Sequence, residues 1–190
     1  MNALLRWFYI ELARWCKVFG QGETALKYYK LALGVRPDDA VVIASIGFEL
    51  ARQGRKREAL SWFDRAVAAR PNYAEGHFDR GYLLQELNDP EAAIAAFNEA
   101  LKFNPDHDRA LYGKALSLIG LRRHDEAVAP LEKSTKLQPF SPYAWYQLGR
   151  LQFDRGKPDK TQAIIEHLVT FEPKIAAQLA RETGLKLPPE

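Results

Sequence analysis

The sequence predicts an all-α fold, a solenoid of about five helix–turn–helix hairpins closed by a C-terminal capping helix, and three observations predict it. Prolines stand at 37, 71, 105, 139 and 173, each 34 residues after the one before, and a fixed period of that length marks a stacked repeat. In register with them run three columns: Ala25, Ala59, Ala93, Ala127 and Thr161; then Tyr29, Phe63, Phe97, Leu131 and Ile165; then Ala32, Ala66, Ala100, Ser134 and Leu168. No alternating run of β-branched residues is bounded by turn signals, so nothing reads as a strand.

Spacings of four and three residues put the columns on one stripe of a helix, here helix B of each unit. Small residues let a neighbouring helix approach, and the large one between them is gripped. Upstream, helix A carries a second stripe: Tyr9/Leu12/Ala13/Cys16, Ile43/Ile46/Gly47/Leu50, His77/Arg80/Gly81/Leu84, Leu111/Lys114/Ala115/Leu118 and Trp145/Leu148/Gly149/Gln152. Between A and B stand Gly20, Gly54, Asn88 and Gly156, residues that accept left-handed backbone angles and so end a helix, with Arg122 the exception. The proline after helix B cannot continue a helix and restricts the residue before it. The expected organisation is a single domain over 1–190 with units at about 6–39, 40–73, 74–107, 108–141 and 142–175. Residues 174–184 form a further amphipathic stretch, with Ile175, Ala176, Leu179 and Ala180 on one face and Gly184 placed to end it. It is the expected cap, since a solenoid needs its last apolar surface covered, and 185–190 is an expected loose tail. Pro130 falls inside helix B of the fourth unit, where a kink is expected.

These residues resemble the tetratricopeptide repeat (TPR), a family of 34-residue units with a large residue, Leu, Gly or Ala, and Tyr or similar on helix A, then Ala, Phe or Tyr, and Ala on helix B, then Pro. The likeness spans about residues 6–175, and the second and third units match best. In the fifth, Gln152, Thr161 and Leu168 depart from the pattern, so looser packing or shifted helices are expected there. The resemblance implies a right-handed superhelix whose A helices line a concave side, and a non-catalytic module that binds a protein or peptide.

Four A-helix columns, two, five, nine and twelve places into each unit, point away from the core stripe and are expected to wall that groove. Their candidate binding residues are Phe48, Phe78, Tyr82, Arg109, Tyr112, Tyr143, Tyr146 and Arg150. A solvated face would be mostly charged, whereas Tyr and Arg are enriched at binding hot spots. The expected ligand is an extended or helical segment with apolar side chains and some acid. Some family members grip a C-terminal carboxylate with Lys, Asn and Arg on three successive A helices. The matching places here hold Ile10/Arg14, Ala44/Phe48 and Phe78/Tyr82, and then Glu75/Asp79, Arg109/Gly113 or Tyr143/Gln147. That clamp is not reproduced, which disfavours a chaperone-tail receptor.

The first A helix is apolar all round. Leu5, Phe8, Trp15 and Phe19 lie with Leu12 at alternating three and four spacing on a side that a terminal repeat ordinarily shows to water. Three readings stay open for this edge: a homodimer formed through it, docking of a partner or of the membrane interface, or a helix folded away from its family position. Arg6, Glu11 and Arg14 interrupt the stretch before a membrane span can form.

Composition excludes more than it names. The net charge is +3, and residues 1–70 hold twelve Lys or Arg against seven acids. The densest basic run, Arg55-Lys56-Arg57, is short, which disfavours nucleic acid. The lone Cys16 fits a reducing compartment, so a cytoplasmic location is expected. The histidines at 77, 107, 124 and 167 are scattered, with no metal spacing and no nucleophile–base set. No catalytic residue, cofactor or metal is expected. An interaction scaffold is the leading reading, ahead of a chaperone-like adaptor shielding an apolar segment, a self-associating scaffold, and an RNA-binding helical repeat.

Overall fold

The computed structural model describes residues 2–188; Met1, Pro189 and Glu190 lie outside the described residues. Among the described residues the chain forms α1 (Asn2–Val18), α2 (Gly22–Val35), α3 (Ala40–Arg52), α4 (Lys56–Ala69), α5 (Ala74–Glu86), α6 (Pro90–Phe103), α7 (Asp108–Gly120), α8 (His124–Leu137), α9 (Pro142–Asp154), α10 (Pro158–Val169) and α11 (Pro173–Thr183), with no strand. Each A helix pairs with the B helix that follows it. The fold divides after Pro105 into two compact units, one holding α1 to α6 and the other α7 to α11. In the first, α2 packs on α3 and α4 on α5; in the second, α8 packs on α9, and α11 packs on both α9 and α10.

The B-helix columns make the core. Ala25, Ala59, Ala93, Ala127 and Thr161 are all fully buried, and so are Phe97, Leu131 and Ile165 between the two small columns. Burying a ring such as Phe97 contributes roughly 1.5–3 kcal/mol. The facing A-helix place is small because the ring lies against it. A Cβ on Gly81 would sit 2.7 Å from Phe97 Cε1, and one on Gly47 3.0 Å from Phe63 Cε1.

Every A-to-B turn closes in one way. Gly20, Gly54, Asn88, Arg122 and Gly156 all have φ between 59° and 80°. The next residue donates its N–H back across the turn, as in Gln21 to Cys16 O at 2.8 Å and Arg123 to Leu118 O at 2.9 Å. Arg122 is therefore no exception in conformation: the short connection requires the left-handed region whatever the residue. Its side chain is exposed.

The fifth unit pairs its two helices less extensively than the other four, as expected, yet accommodates its departures from the pattern. Thr161 Oγ1 donates to Gly149 O at 3.1 Å, so the hydroxyl at the alanine place is satisfied inside the core. Buried Gln152 accepts from Arg155 Nη1 through its Oε1 at 3.1 Å. Leu179 of α11 takes the place over Gly149, where a Cβ would lie 2.5 Å from its Cδ2. The expected tail is tied down as far as it is described, with Gln162 Nε2 donating to Lys186 O at 3.0 Å. α8 stays helical from His124 to Leu137 through buried Pro130.

α1 is paired with α2 and shares its core. Ala13 is buried, Tyr9 stacks on Tyr28 with ring centroids 6.4 Å apart, and Arg6 forms an ion pair with Asp39. Asp39 also caps α3, accepting from the N–H groups of Val41 and Val42 at 3.2 and 3.3 Å. Among the described residues no helix is long and apolar enough to cross a membrane.

Three substitutions test this account by urea denaturation. Gly81→Ala adds helix propensity of about 1 kcal/mol but overpacks the Phe97 ring at about 1–3 kcal/mol. A net loss of about 1 kcal/mol is expected, with Gly47→Ala near neutral. Arg122→Gly relieves a left-handed residue at a modest entropic cost and should gain about 0.5–1 kcal/mol; a loss would contradict the turn analysis.

Candidate functional site

The A-helix face opposite the core divides by geometry. With an advance of about 100° per residue, the second and ninth columns stand roughly 150–170° from the core stripe, the fifth and twelfth only about 90–110°. Exposure follows this division. In the unit of α1 to α6, Trp7, Val41, Phe48 and Tyr82, from the second and ninth columns, are 57%, 47%, 52% and 55% exposed, while Ala44 and Phe78, from the fifth, are buried. Phe78 is thus a correction to the groove set: its ring packs 6.0 Å from Phe97 and 6.3 Å from Tyr82, and it supports the surface without forming it.

Around Phe48 the surface is cationic at one side, with the Lys17 ammonium 5.0 Å from the ring centroid. Next to it a cavity of about 370 Å³ opens, lined by Trp7, Ile10, Arg14, Tyr29, Arg36 and Ser45 among others. Burial pushes the Tyr29 phenol above its ordinary value. Arg14 is held by Glu11 at 2.7 Å and Arg36 by Asp38 at 3.4 Å, so the cavity offers guanidinium groups already turned to local acids.

In the unit of α7 to α11 the division holds only in part. Tyr143 and Arg150 are exposed, Arg109 is exposed on α7, and Tyr112 and Tyr146 of the fifth column are half-buried, but so is Leu116 of the ninth column, while Phe153 of the twelfth is exposed. Burial raises the Tyr112 phenol, opposed by its hydrogen bond with Gln147. Tyr146 and Arg150 are occupied. Tyr146 Oη donates to Glu182 Oε2 at 2.7 Å and Arg150 Nη1 to the same oxygen at 2.6 Å, while Gln178 Nε2 donates to Glu182 Oε1 at 2.9 Å. Glu182 and Gln178 belong to α11, so the capping helix lays a carboxylate on two of the expected groove residues. Hydrogen bonds from Gln178, then Tyr146, then Arg150 hold that carboxyl below its usual range. The sequence reading missed Glu182. The i,i+4 spacing of Gln178 and Glu182 marks a polar face of α11 but not what it meets.

Of the edge residues, Leu5, Phe8, Trp15 and Phe19 are 42%, 50%, 60% and 71% exposed. Leu5, Phe8 and Trp15 lie on α1, and Phe19 in the turn just after it, away from the groove columns. Among the described residues no group of three or more His, Cys, Asp or Glu is placed to hold a metal ion.

The tetratricopeptide repeat family model matches residues 46–108, 78–142 and 112–160. No curated protein sequence matches the chain. Among solved structures, a tetratricopeptide repeat protein from Parabacteroides merdae is 24% identical at a TM-score of 0.80, covering 95% of this chain and 74% of that one. PilF of Pseudomonas aeruginosa is 18% identical at 0.82, covering 96% and 86%. YrrB, described as a TPR protein with an unusual peptide-binding site, is 20% identical at 0.76, covering 91% and 90%.

The Glu182 contact carries a pH prediction. A carboxyl whose folded pKa is depressed keeps its contact above the ordinary carboxylate range and loses it as pH falls through the lowered value. The Arg150 side-chain NMR resonance should therefore stay fixed down to the ordinary value of 4.5 and move only below it. In Glu182→Gln it should be displaced at every pH, with stability changed by less than about 1 kcal/mol. A wild-type midpoint at or above 4.5 contradicts the contact.

Proposed function

The chain belongs to the tetratricopeptide-repeat family, and from that premise we propose that it is a protein-interaction module whose A-helix face takes a peptide segment bearing apolar side chains and acid. The observation that carries the reading is the exposure of large rings where a solvated helix face would be charged. Phe48 and Tyr82 in one unit and Tyr143 in the other are each at least half exposed, and each stands on a helix held rigid by its hairpin. Rigid aromatic side chains lose little entropy on binding and supply large contact area.

The acid preference rests on Glu182. A carboxylate of this same chain accepts from both the Tyr146 hydroxyl and the Arg150 guanidinium, which supports an acid as the group that this pair would bind in a partner. A partner acid using the same pair has to displace it, so the Arg150 region is a regulated or secondary anchor and Tyr143 the open one. The peptide-binding site named for YrrB supports the same ligand class. In this reading the module works in the cytoplasm, carries no chemistry, and has a partner of peptide or protein rather than RNA.

The test is a peptide array probed with wild type and with Phe48→Ser/Tyr82→Ser/Tyr143→Ser, with helicity followed by circular dichroism. Wild type should retain acidic–apolar peptides, and the triple variant should lose at least about tenfold in affinity, since hot-spot truncations cost about 2 kcal/mol or more each. Glu182→Gln should strengthen capture of the acidic peptides. Equal retention by wild type and triple variant sinks the assignment. A steep loss with salt, the mark of phosphate contacts, would point to nucleic acid instead.

A further inference from the structure

We propose that the exposed face of α1 is a self-association surface, and that its occupant is the same face of a second copy, arranged about a two-fold axis. The 34-residue register identifies the surface. The place of Phe8 is held by Val42 and Gly76 in the first unit and by Ala144 in the second, and the place of Trp15 by Glu49, Leu83 and Leu151; all six are buried. In the later A helices this is therefore the face that goes inside. At α3 the approach is close, since a Cβ on Gly22 of α2 would run into Glu49 Oε1.

α1 and the residue after it show the same face bare, with Phe8 50%, Trp15 60% and Phe19 71% exposed and Leu4 and Leu5 beside them. At roughly 150–250 Å² for a whole aromatic side chain, the exposed part of this patch is on the order of 600 Å². That stands at the top of the range for the largest apolar patch of a monomer and reaches the roughly 600 Å² per partner at which stable interfaces begin.

Size and charge decide the occupant. In the Phe8 column elsewhere stand the smaller Val, Gly and Ala, all buried, and at Gly76 a Cβ would meet the ring of Tyr73. The Phe8 ring refuses a hairpin at that distance, whether it comes from a preceding unit or from the far end of another copy. What large rings do fit is a partner that also presents rings at matching intervals. Leu5, Phe8, Leu12, Trp15 and Phe19, at alternating three and four spacing, form the seam by which two helices pack, and a two-fold contact requires such self-complementarity. A bilayer would call for free cations flanking the apolar stripe. The three cations of α1 are engaged instead: Arg6 with Asp39, Arg14 with Glu11 of the same helix and Lys17 over the Phe48 ring.

The test is sedimentation with light scattering on the full chain from about 1 to 100 μM, a range that reveals micromolar association. Wild type should run at twice the 21.6 kDa chain mass. Phe8→Glu/Trp15→Glu should run at one chain mass with unchanged helicity. Should that variant fail to fold, Phe8→Ser alone should weaken the dimer at least tenfold. A wild-type monomer throughout the range, a dimer indifferent to these changes, or masses growing past two chains as in head-to-tail assembly would each overturn the proposal. So would co-sedimentation of wild type with phosphatidylcholine/phosphatidylglycerol vesicles.

Discussion

The close approach of a helix B ring to the backbone of helix A governs the rest of this structure. A bare glycine under Phe63 or Phe97 lets two helices meet across a single ring, and where the B-helix residue is the smaller Leu131 the A-helix place holds Ala115. Because the grip is one-sided, the opposite side of each A helix is left for water or a ligand. Because the hairpin is tight, its turn has room for one left-handed residue, and even Arg122 accepts that conformation. Repeating the grip at a fixed interval turns a local packing rule into an architecture, which is why helix positions could be read with little error from five prolines and three columns.

What the sequence made legible is what periodicity encodes: which residues face the core, where helices end, and that a C-terminal helix must cover the last hairpin. Less legible was anything set by contacts between neighbouring A helices. Treating four columns as one groove overlooked that the fifth and twelfth sit some 60° nearer the core than the second and ninth. Hence Phe78 is an underlying support and Tyr82 a surface ring, although both are aromatic and four residues apart. In the fifth unit Thr161 and Gln152 look like defects in a column of alanine and apolar residues, yet Thr161 Oγ1 and Gln152 Oε1 each meet a partner.

The contact between α11 and α9 was the least legible of all, because it joins a helix outside the repeat to residues the repeat pattern reserves for a ligand. Glu182 stands on the polar side of an amphipathic cap, where solvent is the default neighbour. Its reach to Tyr146 and Arg150 follows only once Leu179 is seated over Gly149, which fixes how α11 lies. An apolar contact in the core thereby determines an electrostatic one on the surface.

The hairpins at the two ends of the described residues present the same physical problem, an apolar face that no further unit among those residues covers, and they answer it with opposite residue sizes. At α9 a glycine invites a neighbour to contact distance, and the chain supplies Leu179 from its own cap. At α1 the place that is Val, Gly or Ala in the other A helices of the two units is a phenylalanine, with a tryptophan two turns on. A small residue there demands a close-fitting neighbour, and a large ring excludes one of the same shape while adding apolar area that water penalises. The size of one side chain at one register position thus separates an end that the chain closes for itself from an end whose cover must come from elsewhere.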